Sequence, residues 1–320
     1  MPKISVVLAV YNTEKYIEKC AVSLFEQTLD DMEYIFVDDC STDNSIAVLE
    51  QVIRRYPNRA NQVRVMRNHQ NRKVAYTRTI GMKAATGDYI IHCDPDDFVD
   101  MEAYEIMYET AISTGSDIVG CTLSKEDEGN RTIAMNEYYS TIPKECIKHI
   151  YEKYFFPSLC THLIKRSLYV DNNIYPYPDI NTGEDLNVLL RVFHYAKKVT
   201  YIPKPNYHYI MRGSSLTHNP NVMALWNHNI SKNLKQIIKF FEATGDNEYR
   251  TMLNYLKFTK KQFLLGAKPP QLKMWYNIYP ECREDIFKFS HLSMSRKIMY
   301  WCFAHCYGAL WCYYKVKRNQ

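Results

Sequence analysis

Four short apolar runs, each broken by a polar cluster and followed by a helix-like pattern, constrain the first third of the chain most tightly. Ile4-Ser5-Val6-Val7-Leu8-Ala9-Val10 is almost continuously apolar, as expected for a parallel strand covered on both faces. Glu33 to Val37, Val63 to Met66 and Tyr89 to Cys93 follow in the same style. Between them lie helical patterns. Tyr16, Ile17, Cys20, Leu24 and Phe25 mark the first, with Thr13 as its cap. Val48, Leu49, Val52, Ile53 and Tyr56 mark the second, and Val74 to Ala85 the third. Strands alternating with helices over short links predict an α/β fold with a mostly parallel sheet flanked by helices. Ligands of such sheets sit beyond the carboxyl ends of the strands. Tyr11-Asn12, Asp38-Asp39 and Asp94-Pro95-Asp96-Asp97 all fall there.

The last cluster is the most informative chemically. Three carboxylates in four residues repel one another and raise each other's pKa, and a divalent cation such as Mn2+ or Mg2+ relieves that repulsion. The alternative is an acidic turn that caps the helix beginning near Met101. Further on, Asp117 to Cys121 reads as a strand and 123–143 as a polar hairpin or loop. Lys144 to Tyr154 reads as a helix, and Glu184 to Lys197 as an amphipathic helix with Leu186, Leu189, Leu190 and Phe193 on its apolar face. Two strands, 200–202 and 207–210, flank Pro203 and Pro205.

The ten cysteines form no CxxC pair, and Met1-Pro2-Lys3 leads straight into a strand without a signal-peptide pattern. A reducing, cytoplasmic setting with free thiols is therefore expected, and no Cys/His spacing fits zinc. No G-x-G-x-x-G or G-x-x-x-x-G-K-[ST] is present to cradle a dinucleotide or a P-loop phosphate.

Taken in order, Ser5 to Asn12, Val37-Asp38-Asp39-Cys40-Ser41-Thr42-Asp43-Asn44-Ser45, Asp94-Pro95-Asp96-Asp97 and Gly183-Glu184-Asp185 resemble the successive motifs of family 2 glycosyltransferases. The resemblance runs from about Lys3 to Thr217. It implies a GT-A fold, a nucleotide-sugar donor and an inverting single displacement. Ala9, Tyr11 and Asp39 would then hold the nucleoside, with Tyr11 against the base, Asp39 accepting from the uracil N–H, and Asp38 in support. Asp94 would face the donor and Asp96 the metal. Asp97 is either an outer-shell ligand or a cap. Asp185 would be the general base, with Glu184 beside it. Arg212 resembles the basic residue over the diphosphate. Arg78 resembles a donor-side arginine, or it pairs with the acidic cluster. His208 and His218 are second-tier candidates for metal or phosphate contacts, although a lone histidine is more often structural. Ala9, Lys73 and Thr79 replace the family's usual proline, glycine and asparagine. Cys160-Thr161-His162-Leu163 replaces a usual Trp-Asn-Lys-Leu, so the family's sugar preference does not carry over.

Residues 225–320 differ in character. They hold 16 Lys+Arg against 6 Asp+Glu, a net of +10, while the preceding residues carry about −5. Helices are expected over 225–244, over 247–265 and from Ser295 onward. Ile298 to Tyr314 is uncharged, rich in Trp and Tyr, and flanked by bases. It suits a helix lying on an anionic membrane through 298–318; packing on the protein or a second subunit, and a true span, are the alternatives. The expected organisation is a catalytic domain over 1–224 and a helical, basic, aromatic region over 225–320.

The expected function is transfer of a sugar from a UDP-sugar to a glycan or lipid-linked glycan in surface polysaccharide biosynthesis. The expected setting is the inner face of the cell membrane, and no nucleic acid partner is expected. The rival is a catalytically silent GT-A module that binds nucleotide or glycan as an assembly partner.

Overall fold

Strand β1 (Ile4–Val10) lies at the heart of the first half of the chain, buried along almost its whole length. The computed structural model describes residues 1–127, 130–134, 140–152, 158–211, 223–267 and 269–318. In chain order, α1 (Ile17–Phe25), β2 (Met32–Asp38), α2 (Ser45–Arg55), α3 (Pro57–Ala60), β3 (Val63–Arg67), α4 (Lys73–Ala84) and β4 (Tyr89–His92) follow β1. Next come β5 (Phe98–Val99), α5 (Ala103–Thr114), β6 (Ile118–Asp127), β7 (Asn130–Ala134), α6 (Pro143–Glu152), β8 (His162–Lys165), α7 (Arg166–Asp171), α8 (Glu184–Tyr195) and β9 (Val199–Ile210).

Among the described residues these strands form one sheet of order β3-β2-β1-β4-β8-β6-β9-β5, with β7 paired to β6. The block β3-β2-β1-β4 is parallel throughout. Helices carry the chain from each of its strands to the next, and a return to the same edge through a helix demands that direction. Beyond β4 the sheet is mixed: β8 is antiparallel to both β4 and β6, while β6 and β9 are parallel.

The two strands expected around Pro203 and Pro205 are instead a single strand, β9. Its pairing with β6 shifts register at Cys121–Thr122 and again at Thr122–Leu123. On its other edge, β5 pairs only with Tyr207 and His208. Both prolines fall in the shifted stretch, where β9 is out of even step with β6 and a missing N–H group is tolerated. The expected hairpin after Leu123 is β6–β7. Thr13 holds the start of α1 through its carbonyl, which accepts from the N–H groups of Tyr16 and Ile17, rather than through its side chain.

One face of the sheet packs through Val6, Leu8, Tyr34, Phe36 and Ile91 against Leu24 and Phe25 of α1 and Met107 of α5. On the other face α4 approaches β1 so closely that a Cβ at Gly81 would lie 2.5 Å from Val7 Cγ1 and 3.3 Å from Val37 Cγ2. Gly81→Ala is expected to cost about 1–3 kcal/mol by overpacking, read as a lower urea midpoint. An unchanged midpoint would show that α4 does not seat there.

The chain divides into two compact units, Met1–Ile147 with Phe156–Val222, and Lys148–Phe155 with Met223–Gln320. The second contains α9 (Met223–Thr244), α10 (Arg250–Gly266), α11 (Leu272–Asn277), a 3-10 stretch (Pro280–Lys288), α12 (Met294–His305) and α13 (Tyr307–Arg318). Its core gathers Phe258, Trp275, Ile286, Phe289, Phe303 and Leu310. The single helix expected from Ser295 onward is therefore two. Cys306, at φ −135° and ψ 101°, leaves the helical region and separates them. Among the described residues no helix is long and apolar enough to cross a membrane.

Candidate active site

The carboxyl ends of β1, β2 and β4 carry the expected polar groups. Ala9 is half-buried at the end of β1, and Tyr11 just beyond it is exposed. Asn12 turns the chain with a left-handed backbone (φ 51°), and its Oδ1 accepts from the Thr42 N–H at 2.8 Å. Asp38 is buried. Its Oδ1 accepts from the Ser41 N–H at 2.8 Å, and its Oδ2 lies 3.1 Å from Arg67 Nε.

Asp39 ties down the start of α4. Its Oδ1 accepts from Asn68 Nδ2 and the Arg72 N–H, and its Oδ2 from the Lys73 N–H, all at 2.8 Å. Lys73 has the left-handed backbone (φ 69°) that a glycine adopts without strain. Asp39 secures that conformation by accepting from its N–H.

Arg78 organises the centre. It is 4% exposed, and its guanidinium reaches three carboxylates. Nη2 donates to Asp94 Oδ1 at 2.7 Å, and Nη1 donates to Glu184 Oε1 at 2.9 Å and to Asp185 Oδ1. Arg78 thus pairs with the acidic cluster. Gly183 caps α8 with a left-handed backbone (φ 71°) and delivers Glu184 and Asp185 to this point. The Leu159 N–H donates to Asp185 Oδ2 at 3.3 Å.

The electrostatics follow from burial. Desolvation, then repulsion from Asp185, pushes Glu184 up to about 7. Desolvation also raises Asp185, with Arg78 pulling back toward the ionised form. Arg78 is itself desolvated, yet its three carboxylates hold it well above the ordinary arginine value. The guanidinium draws both carboxyls back toward their charged forms.

Asp94 and Asp96 are half-buried and Asp97 is buried. Asp97 accepts from the Tyr207 hydroxyl at 2.6 Å and the Ile210 N–H at 2.9 Å. The Asp94 N–H in turn donates to the Tyr207 hydroxyl at 3.2 Å. Burial, then repulsion from Asp94 and Asp96, pushes Asp97 up to about 8. Such an all-oxygen cluster with excess negative charge fits a hard divalent cation. Among the described residues no three His, Cys, Asp or Glu side chains form a ready-made cage.

His208 stacks on Phe98 with ring centroids 4.2 Å apart. Its Nε2 is 2.8 Å from Asp100 Oδ1, and its Nδ1 is 2.8 Å from Glu126 Oε1 and 3.0 Å from Ser124 Oγ. Both ring nitrogens are thus engaged within the protein. Arg212 and His218 lie outside the described residues.

Sequence reasoning missed Tyr207 as the link between Asp97 and the Asp94 backbone; its only signal was an aromatic residue in a strand far along the chain. It also missed buried His92, whose ring nitrogens have no hydrogen-bond partner among the described residues and whose pKa is lowered by burial and then by Arg78.

His162, at the start of β8, is buried and donates from Nδ1 to the Ser158 carbonyl at 2.7 Å. Burial pushes it down to about 4 from 6.5. A depressed histidine binds fewer protons folded than unfolded. Its contribution is present above pH 6.5 and is lost as pH falls toward 4, by about 3 kcal/mol. Urea unfolding at pH 7 and pH 4.5 should show this loss, and His162→Gln should flatten it. An equal pH slope in the variant would rule His162 out as a source.

The profile of Glycosyl transferase family 2 matches residues 5–171, more than half of the chain. The chain belongs to this family. The uncharacterized glycosyltransferase EpsJ of Bacillus subtilis is 32% identical over 252 residues, which is 77% of this family 2 chain and 71% of EpsJ. The poly(ribitol-phosphate) beta-N-acetylglucosaminyltransferase TarS of Staphylococcus aureus is 23% identical over 211 residues, 65% of this chain but only 35% of TarS. The crystal structure of S. aureus TarS 1-349 in complex with UDP-GlcNAc superposes with a TM-score of 0.63 at 17% identity, covering 95% of this chain and 91% of that one. The mannosyltransferase PcManGT from Pyrobaculum calidifontis, in complex with GDP-Man and Mn2+, gives 0.56 at 14% identity, covering 95% and 84%. At these identities the likeness establishes the fold. The protein is thus a family 2 glycosyltransferase with the GT-A architecture and a helical C-terminal region.

Proposed function

We propose that this glycosyltransferase transfers a sugar, with inversion, from a UDP-sugar to a hydroxyl of a glycan or lipid-linked glycan. Residues 1–224 form the catalytic part, and the work takes place at the cytoplasmic face of a membrane during surface polysaccharide assembly. The observation that carries the reading is the Arg78 bridge. One buried guanidinium holds Asp94 of the D-x-D cluster and, on its other side, Asp185. Donor-side carboxylate and base candidate thereby share one site, although they lie far apart in sequence.

In this reading Tyr11 packs on the base. Asp39 Oδ2, which among the described residues accepts from the Lys73 N–H, keeps a lone pair for the uracil N–H. Asp96, with Asp94 beside it, holds Mn2+ or Mg2+. The cation, when bound, offsets the charge that grows on the leaving diphosphate. Asp185 takes the proton from the acceptor hydroxyl as that oxygen attacks the anomeric carbon from the face opposite the diphosphate. Arg78 orients Asp185 and favours its ionised form. UDP-GlcNAc bound by TarS and Mn2+ present with PcManGT support the choice of donor class and cation.

The test is manganese-dependent UDP release from a panel of UDP-sugars with glycan and lipid-linked acceptors, preceded by a thermal-shift screen for the donor. Turnover of one UDP-sugar that stops on chelation is the expected result. Binding without turnover across the panel would leave only a nucleotide-binding module.

A further inference from the structure

We infer that the outward faces of α12 and α13 form a docking surface for an anionic lipid bilayer, on which the two helices lie flat. The inference deepens the reading of a membrane-face enzyme and rests on it for its physiological sense. Both helices already satisfy the core of their own unit through Phe303, Ala304 and Leu310, which are buried. Their exposed apolar residues are therefore surplus to folding. On α12 Met294, Ile298 and Trp301 recur at spacings of four and three, so they share one face. They are 63%, 51% and 43% exposed. On α13 Tyr307 and Trp311, four apart and so on one face, are exposed.

The charge carried by these two helices has one sign. From Ile286 to the end of the chain there are six Lys+Arg and no Asp or Glu. Lys315 sits with its Nζ 4.6 Å above the Trp311 ring, so cation and aromatic are presented together. Aromatic rings at headgroup depth, aliphatic tips below them and bases against lipid phosphates are the composition of an interfacial helix.

The occupant follows from what each alternative would require. A second copy meeting this face by two-fold symmetry would bring bases against bases, with no acid in the segment to pair them. Nucleic acid would use the bases and aromatics but would offer nothing to Met294 and Ile298. A span is excluded by length: each helix has 12 residues, about 18 Å, against about 30 Å of hydrocarbon. The break at Cys306 lets two short helices share one plane without a single long rod.

The full chain would be floated with vesicles of phosphatidylcholine alone and of phosphatidylcholine with phosphatidylglycerol. Binding to the anionic vesicles only, weakened by salt, is expected. Trp301→Ala with Trp311→Ala should lower the bound fraction at least about tenfold by removing the interfacial rings. Arg296→Glu with Lys315→Glu should abolish binding. UDP release from soluble substrates is measured in parallel on every variant and should not change. Normal UDP release with no vesicle binding by the parent chain would overturn the docking surface and leave the enzymatic reading intact. Equal binding to neutral vesicles would also overturn it. So would a concentration-dependent dimer that the tryptophan variant dissociates, which would assign the face to a second copy.

Discussion

Asp185→Asn is expected to lower kcat by about a thousandfold, within the range for loss of a general base, while UDP-sugar affinity changes little. The amide keeps one oxygen, which can accept from Arg78, while its NH2 takes the place of Oδ2 and gives up the 3.3 Å bond from the Leu159 N–H. The ability to take a proton is removed, while the contact with Arg78 is kept as a neutral hydrogen bond. Burial raises Asp185 above the ordinary aspartate range, so the acid limb of kcat/KM in the parent enzyme should fall above that range too. Calorimetric donor binding together with initial rates separates the two roles. A variant retaining a tenth or more of the parent rate would move the base elsewhere.

Arg78→Gln should have the largest effect on stability. It leaves Asp94, Glu184 and Asp185 without their shared cation, and breaking a buried pair by removing one partner costs about 3–5 kcal/mol. The deficit should depend on pH. Glu184, raised to about 7 from 4.5, contributes stability that is fully present below 4.5 and is lost as pH rises through 7. Without Arg78 the pair is pushed higher still, so the carboxyls stay protonated further up the scale. Urea unfolding should therefore show a small deficit near pH 5 and a large one near pH 8. Arg78→Lys restores the charge but not the fork that reaches both sides, and should recover stability more than activity. A deficit that does not change with pH would mean that the charge pairing is not what Arg78 contributes.

Much of the fold was legible because β1, β2 and β4 are buried on both faces and read as largely apolar runs. The helices between them showed one apolar stripe each. The polar clusters at the strand ends were legible for the complementary reason, since carboxylates gathered beside apolar runs call for a partner.

Other elements gave no such signal. β5 has two residues, too few for any periodicity. β8 takes its antiparallel place between β4 and β6 by long-range pairing. The prolines of β9 read as breakers because nothing in the local sequence reveals which strand edges are paired. The aromatic segment after Ser295 read as one helix because Cys306 is not a helix breaker by type; its backbone leaves the helix where α12 and α13 fold onto the same core cluster.

By itself the sequence determined the alternating α/β order, the strand ends where a ligand belongs, the candidate acids and the basic character of the last hundred residues. These depend on local periodicity and on charge, which are written residue by residue. Only the tertiary structure decided that Asp94 and Asp185 share Arg78, that Tyr207 ties Asp97 to the same corner, and which faces of α12 and α13 remain outside. Those facts depend on which distant segments meet. A buried guanidinium satisfies whichever carboxylates the packing of α4, β4 and α8 brings within reach, and no local pattern specifies them.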